Sequence, residues 1–112
     1  LANDLNELKS ILQRILESGI SIIVQEVIPG PDTNHYKYYS YISADGKILA
    51  EFTLRKIRQN PVRFGVGSVV ESIYSNELIE LGRKLFSEIG FIGIGSVEFK
   101  LDQSDDMIKL NG

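Results

Sequence analysis

The sequence contains no cysteine and only one histidine, and both scarcities exclude chemistry. Without cysteine the chain forms no disulfide bond, no thiolate metal site and no thiol nucleophile, which fits a reducing compartment. The one histidine, His35, has no neighbouring residues in the sequence that would complete a metal site or a catalytic triad with it. We therefore do not predict His35 to be a catalytic base.

Long apolar runs and a strong net charge are also missing. No apolar stretch approaches the roughly 18 residues that span a bilayer, and no basic-then-apolar leader begins the chain. The formal net charge of −3 produces no field that would attract nucleic acid or an anionic membrane. These absences predict a cytoplasmic protein with neither nucleic acid nor a membrane as its partner.

The 112 residues that are present, 43% hydrophobic and 24% charged, are typical of one globular domain. Helical spacing of apolar residues predicts a first helix, capped by Asn3 or Asp4 and ended by Gly19. Three strands are then predicted from β-branched and aromatic residues, with an Asp45-Gly46 hairpin turn before the third. The predicted strands are residues 21–28, 35–43 and 47–58.

The second half of the sequence predicts an irregular loop, a helix and a hairpin. The helix begins at a cap, Ser75 or Asn76, and ends at Gly90. Strict alternation of apolar and polar residues predicts a strand at residues 93–102. The other predicted elements are a loop at 59–68, a short strand at 69–74, a turn at 103–106 and a last strand from 107.

These elements predict an α+β fold, a mostly antiparallel sheet with two helices packed on one face. In the third strand, Ile48, Ala50, Phe52 and Leu54 share one face, whereas the opposite face carries polar residues such as Glu51, Thr53 and Arg55. We expect the helices to cover the apolar face and the polar face to meet water or a ligand.

Two groups of charged residues are candidates for chemistry, and each has a simpler interpretation. Glu98 and Lys100 share one face of a strand, either as a solvated pair or as a carboxylate directed at Mg²⁺ beside a lysine. Arg55, Lys56 and Arg58 form a basic cluster that serves solubility or binds phosphate or carboxylate groups. Two glycines, at 65 and 67, indicate a turn more strongly than a phosphate loop.

Three stretches in this order resemble the middle and late parts of ATP-grasp enzymes. They are "VQEVIPG" at residues 24–30, "ILAEFTLRKIRQ" at 48–59 and "GFIGIGSVEFKLD" at 90–102. The likeness is greatest to the carboxylate–amine ligase and carbamoyl-phosphate-synthase-like branch, and it covers nearly all of the chain. It implies that residues 1–112 are a single partial ATP-grasp domain, truncated at both ends.

The resemblance implies an adenine-binding hinge in the first stretch. In this family the adenine ring lies against the strand that links the two ATP-gripping subdomains. By position, the Glu26 carbonyl would accept a hydrogen bond from the adenine amino group, and the Ile28 amide would donate one to a ring nitrogen. The other implied contacts are those of Gln25, Val27 and Ile28 with the base, and of Asp32 or Asn34 with the ribose.

The resemblance also implies a reaction and a metal ion. ATP would phosphorylate a small carboxylate substrate to an acylphosphate, and an amine or a thiol would then displace phosphate. Glu98 would be the first carboxylate that binds Mg²⁺ or Mn²⁺, and Asn111 would belong to the second metal-binding block. Arg55, with Arg58 as second choice, would contact the phosphate or the acylphosphate.

The sequence departs from the family pattern near its last residues. Lys109 stands where the family has its second metal-binding glutamate, and a charged lysine cannot ligate Mg²⁺. The chain also begins after the lysine-bearing phosphate clamp of the family. We therefore expect a fragment of a ligase that does not turn over ATP alone, with an open sheet edge that allows a homodimer to form. The alternative is a non-catalytic α+β binding or interaction module without a functional nucleotide site.

Overall fold

The computed structural model describes residues 1–62 and 65–111 and contains a five-stranded antiparallel sheet with two α-helices. The strands lie in the order β3-β2-β1-β4-β5. This confirms the predicted α+β class. In chain order the elements are α1 (Leu5–Glu17), a 3₁₀ turn (Asp32–Asn34), β1 (His35–Ile42), β2 (Ile48–Asn60), β3 (Val66–Ile73), α2 (Asn76–Glu88), β4 (Gly93–Asp102) and β5 (Met107–Leu110).

The central strand β1 pairs with β2 on one side and with β4 on the other. The predicted tight turn between β1 and β2 is confirmed: Gly46 has a φ of 80°, and its amide donates to the Ser43 carbonyl at 2.9 Å. Glycine suits this position because a side chain strains the left-handed backbone. The predicted strand at residues 93–102 is confirmed as β4 with the same bounds.

The core lies between α2 and the sheet. Ser75 caps α2 by accepting a hydrogen bond from the Leu78 amide, as predicted. The fully buried Tyr38 ring lies directly under Gly82, where an added Cβ would come within 2.2 Å of the ring. Phe86 packs on that ring with 5.8 Å between the ring centroids. The other buried members of the cluster are Ile42, Leu78, Val97 and Phe99. The close approach of α2 to β1 therefore depends on glycine.

The face of the sheet that α2 covers is not the face that we predicted. On β2, α2 lies over the side of Glu51 and Thr53, because these residues pair with β1 residues of the core face. Their polar atoms are satisfied: Glu51 accepts a hydrogen bond from the Tyr38 hydroxyl at 2.8 Å, and the Thr53 hydroxyl donates to the Ile73 carbonyl at 2.6 Å. Bonded polar groups can be covered at little cost, so the alternation in β2 was a misleading guide. Phe52, on the opposite face, stays half exposed.

Helix α1 begins at the predicted cap, Asp4, whose carboxylate accepts from the Asn6 and Glu7 amides at 2.8 Å. None of its residues is buried. Of the two helices, α2 alone therefore buries residues against the sheet in the part of the chain that the structure describes. No described helix has both the length and the apolar character needed to cross a bilayer.

Two element predictions are wrong. Residues 21–28 do not form a strand: they follow α1 in an irregular conformation without ladder pairing, and Ile23 is 91% exposed. A β-branched run becomes a strand only when a neighbouring strand offers its edge, and none of the described strands lies alongside. The predicted loop at 59–68 is also too long, because β2 continues to Asn60 and β3 begins at Val66. Part of that loop, residues 63 and 64, lies outside the described residues.

Candidate functional site

A cavity of about 600 Å³ lies on the face of the sheet opposite α2. The segment at residues 25–28 forms one wall, and the adjoining parts of β1, β2 and β4 form the floor. Glycines 65 and 67, with Val66 between them, line the rim at the start of β3. Most of the predicted site residues line this one cavity, namely Gln25, Glu26, Val27, Ile28, Asp32, Glu98 and Asn111.

The segment at residues 25–28 enters the cavity wall with free main-chain groups. Within residues 1–62 and 65–111, no hydrogen bond engages the amides or carbonyls of these four residues. The segment is fixed just beyond its end, where the Pro29 carbonyl accepts from the Gln103 amide at 3.2 Å. A side chain at Gly30 would meet Asn34, and φ at Gly30 is 133°, so the chain turns there in a way that requires glycine.

Asn34 holds this turn and does not line the cavity. Its Nδ2 donates to the Leu101 carbonyl at 3.2 Å, which ties the turn to the end of β4. Asp32 does line the cavity, and its Oδ1 accepts from the Gln59 side chain at 2.7 Å. The ribose contact predicted for either residue stays a prediction, and of the two only Asp32 faces the cavity.

Glu98 stands in the middle of a group of cations. Its Oε1 accepts a hydrogen bond from Lys56 Nζ at 2.8 Å and one from Asn111 Nδ2 at 3.3 Å, and its Oε2 lies 3.6 Å from Lys37 Nζ. Burial acts to raise the pKa of the Glu98 carboxyl, but the hydrogen bond and charge of Lys56, then the charge of Lys37, lower it overall. Glu98 is therefore an ionised carboxylate held by two ammonium groups.

His35 and Lys100 face each other across β1 and β4 and both line the cavity. His35 Nδ1 lies 3.0 Å from the Asp32 carbonyl, so in the tautomer that bonds there Nδ1 donates and Nε2 carries no proton. Burial lowers the pKa of His35, and the charges of Lys56 and Lys100 lower it further. The imidazole is thus kept neutral at the cavity floor.

The two arginines predicted to contact phosphate do not reach the cavity. Arg55 lies on the α2 side of β2, where its Nη2 pairs with Glu71 at 2.5 Å, and Arg58 is exposed and also absent from the cavity lining. Lys56 and Gln59 line the cavity instead, although their odd spacing predicts opposite faces. An irregular register between Lys56 and Arg58 leaves one extra residue in β2, and this bulge restores Gln59 to the cavity side.

Four further cavity residues were not among the predicted site residues, namely Lys37, Lys56, Gln59 and Lys100, although Lys56 and Lys100 had been noted as charged candidates. For Lys100 a signal was present, since its alternation with Glu98 already placed both side chains on one face of β4. Lys56 was placed in the basic cluster but on the face of β2 that was expected to be covered, and for Gln59 no signal existed, because a bulge cannot be located from alternation alone.

The described residues do not fit a Mg²⁺ ion held by protein ligands. No group of three or more histidine or acidic residues converges anywhere in the described chain. The oxygens of Glu98 already face two ammonium groups, and Asn111 adds only an amide. Lys109, in the position of the expected second carboxylate, bonds to Asp102 and, at 2.8 Å, to Asp105.

No protein-family model matches the chain, and no solved structure matches it. The chain is similar to a D-aspartate ligase from Enterococcus faecium (strain Aus0004), with 26% identity over 108 residues. The matched region is 93% of this chain and 26% of that ligase, so the chain spans about a quarter of the length of this relative. At this identity the similarity suggests the ATP-grasp superfamily and goes no further.

Proposed function

We propose that the chain supplies the nucleotide-binding cavity of an ATP-dependent ligase of the ATP-grasp type. The observation that carries the proposal is the meeting of two distant stretches: the unbonded segment at residues 25–28 and Glu98 line one cavity. The stretches that resemble the family hinge and its metal-binding strand are about 70 residues apart, yet the fold brings them together. The similarity to a D-aspartate ligase supports the same reaction class.

In this proposal the main chain reads the adenine edge. The Glu26 carbonyl accepts from the adenine amino group and the Ile28 amide donates to the adjacent ring nitrogen. Ile28 is buried at the cavity wall, where its side chain and that of Val27 pack on the ring. The phosphate groups then extend toward the lysine side chains on the floor, because charge-assisted hydrogen bonds to phosphate are strong.

The proposed reaction of the whole protein is the ligation of a carboxylate. The terminal phosphoryl group of ATP moves to a carboxylate oxygen and leaves ADP and an acylphosphate. The nitrogen of an amine, or the sulfur of a thiol, then attacks the carbonyl carbon, and inorganic phosphate departs with the C–O bond electrons. Mg²⁺ or Mn²⁺ stays a prediction from the resemblance, because the described residues offer it one neutralised carboxylate and one amide.

A thermal-shift titration with ATP and inosine triphosphate tests the nucleotide site. Inosine replaces the adenine amino group with an oxo group and protonates the adjacent ring nitrogen, so donor and acceptor are exchanged at the edge read by Glu26 and Ile28. Losing two hydrogen bonds of about 1 kcal/mol each weakens binding by roughly 30-fold. We expect ATP to raise the melting temperature at concentrations where inosine triphosphate does not.

Equal stabilisation by the two nucleotides would refute the hinge. The second candidate function, a non-catalytic interaction module, is favoured by one observation, namely that Glu98 is already neutralised by Lys56 and Lys37. It predicts no shift with either nucleotide. The titration therefore separates the two candidate functions as well as testing the first.

A further inference from the structure

Lys100 is a largely buried residue that lines the cavity, and its ammonium group makes no ion pair with the described residues. It is 9% exposed, lies in the middle of the sheet on β4 and lines the cavity. No hydrogen bond or ion pair engages its ammonium group in residues 1–62 and 65–111. An unpaired ammonium group at a cavity surface is a strong donor to an anionic ligand.

Of the carboxylates on the same face of β4 or on the cavity wall, three are engaged by other residues, and Glu26 is exposed. Glu98, two residues before Lys100, is bonded to Lys56 and faces Lys37. Asp102, two residues after it, accepts from Lys109 and from the Ser104 hydroxyl. Asp32 on the cavity wall accepts a hydrogen bond from the Gln59 side chain. The residue opposite Lys100 on β1 is His35, which is neutral. The Lys100 ammonium group is therefore free to bind an anion that enters the cavity.

We propose that Lys100 binds the phosphate part of the ligand directly, so that anion binding in this cavity needs no divalent cation. This inference rests on the proposed nucleotide site and specifies how its anionic end is held. The ammonium groups of Lys37 and Lys56 lie in the same cavity, and they supply positive charge at the place where the described residues do not fit a metal ion. A phosphate oxygen is a suitable partner because three N–H donors meet three oxygens.

The test compares Lys100→Met with the unchanged chain by isothermal titration calorimetry in buffer containing EDTA. The probes are ATP, adenosine and sodium tripolyphosphate. We expect the unchanged chain to bind ATP without a divalent cation, and Lys100→Met to weaken ATP and tripolyphosphate about 10- to 100-fold. Adenosine should bind both proteins equally. Lys84→Met, on the exposed side of α2, is the matched control and should change none of the three affinities.

The stability of the ligand-free variant provides a second readout. Methionine keeps most of the length of the side chain and removes a charge that makes no ion pair in the described chain, so Lys100→Met should unfold at the same or a higher urea concentration. A loss of stability would overturn the inference, since it would show that Lys100 has a structural partner. Binding of ATP that requires Mg²⁺, or equal ATP affinities of Lys100→Met and the unchanged chain, would overturn it as well.

The probes separate this inference from the proposed function. If ATP and adenosine bind but Lys100→Met makes no difference, the nucleotide site stands and the role of Lys100 is refuted. If neither nucleoside compound binds while tripolyphosphate binds through Lys100, the proposed function fails and the anion site stands.

Discussion

The ion pair between Lys56 and Glu98 makes a quantitative prediction about stability. Their atoms lie 2.8 Å apart, and the Lys56 side chain is 5% exposed. At an effective dielectric constant of 20, the attraction is about 6 kcal/mol before desolvation is subtracted. Removing one partner of a buried pair leaves a charge without compensation and typically costs roughly 3–5 kcal/mol. Because Glu98 is partly exposed, we expect Glu98→Gln to cost about 3 kcal/mol.

The partner substitution should cost less. Lys56→Met leaves Glu98 with Lys37 at 3.6 Å and with the Asn111 amide, so we expect a loss of about 1–2 kcal/mol. The double variant should then lose less than the sum of the single losses, as expected for groups in contact. Urea unfolding at pH 7 measures all three through the midpoint at constant slope. The surface pair of Arg55 provides the control, because Glu71→Gln should change stability by no more than about 1 kcal/mol.

An increase in stability on the Glu98→Gln substitution would refute this reasoning. If no cation compensated the Glu98 carboxylate in the absence of a metal ion, Glu98→Gln would stabilise the ligand-free chain. A loss of stability in Glu98→Gln that is no larger than the loss in Glu71→Gln would also contradict the expected contribution of the Lys56–Glu98 pair. The acid dependence adds a check: the pKa of Glu98 is lowered in the fold, so its contribution is present above the unfolded value of about 4.3 and is lost as the pH falls.

Two further predictions concern the core and the cavity floor. Gly82→Ala places a Cβ within 2.2 Å of the buried Tyr38 ring. Although alanine favours helices, this overpacking should lower the free energy of unfolding by about 1–3 kcal/mol, and with it the urea midpoint. An unchanged or higher midpoint would show that α2 can move away from the sheet. The pKa of His35 is lowered by burial, so the unfolded chain takes up its proton first, and stability should fall as the pH drops below about 6.5. His35→Gln should remove this slope in urea midpoints measured between pH 7.5 and 5, and parallel profiles would contradict it.

Sequence patterns correctly predicted those elements that depend mainly on residues close together in the chain. The alternation in residues 93–102 belongs to a strand that has the core on one side and the cavity on the other, so its two sets of side chains have different surroundings. Ser75 and Gly90 bound α2 because a cap and a left-handed glycine act within one turn of the chain. The hairpin at Gly46 is equally local.

The wrong predictions share a physical cause: each depended on an element that lies elsewhere in the sequence and that the segment itself does not reveal. Residues 21–28 have the composition of a strand, but no described strand pairs with them. Their β-propensity alone does not form a strand, because strands are stabilised by pairing with a neighbour. Arg55 was favoured because its face of β2 was expected to be the open one, whereas α2 covers that face and the cavity lies on the side of Lys56. Residues 25–28 and Glu98 were expected to share one site and they line one cavity, whereas the lysines that face Glu98 were identified only from the tertiary structure.

The strand order has a consequence for the sequence of events in folding. The hairpin of β1 and β2, and the pairing of β2 with β3, join neighbours along the chain, but β4 must reach β1 from beyond α2. Closing the longer loop costs more entropy, so we expect β4 to dock after the first three strands. Lys56 and Glu98 come together only at that moment. A compound that fills the cavity should therefore slow unfolding and leave the rate of folding unchanged.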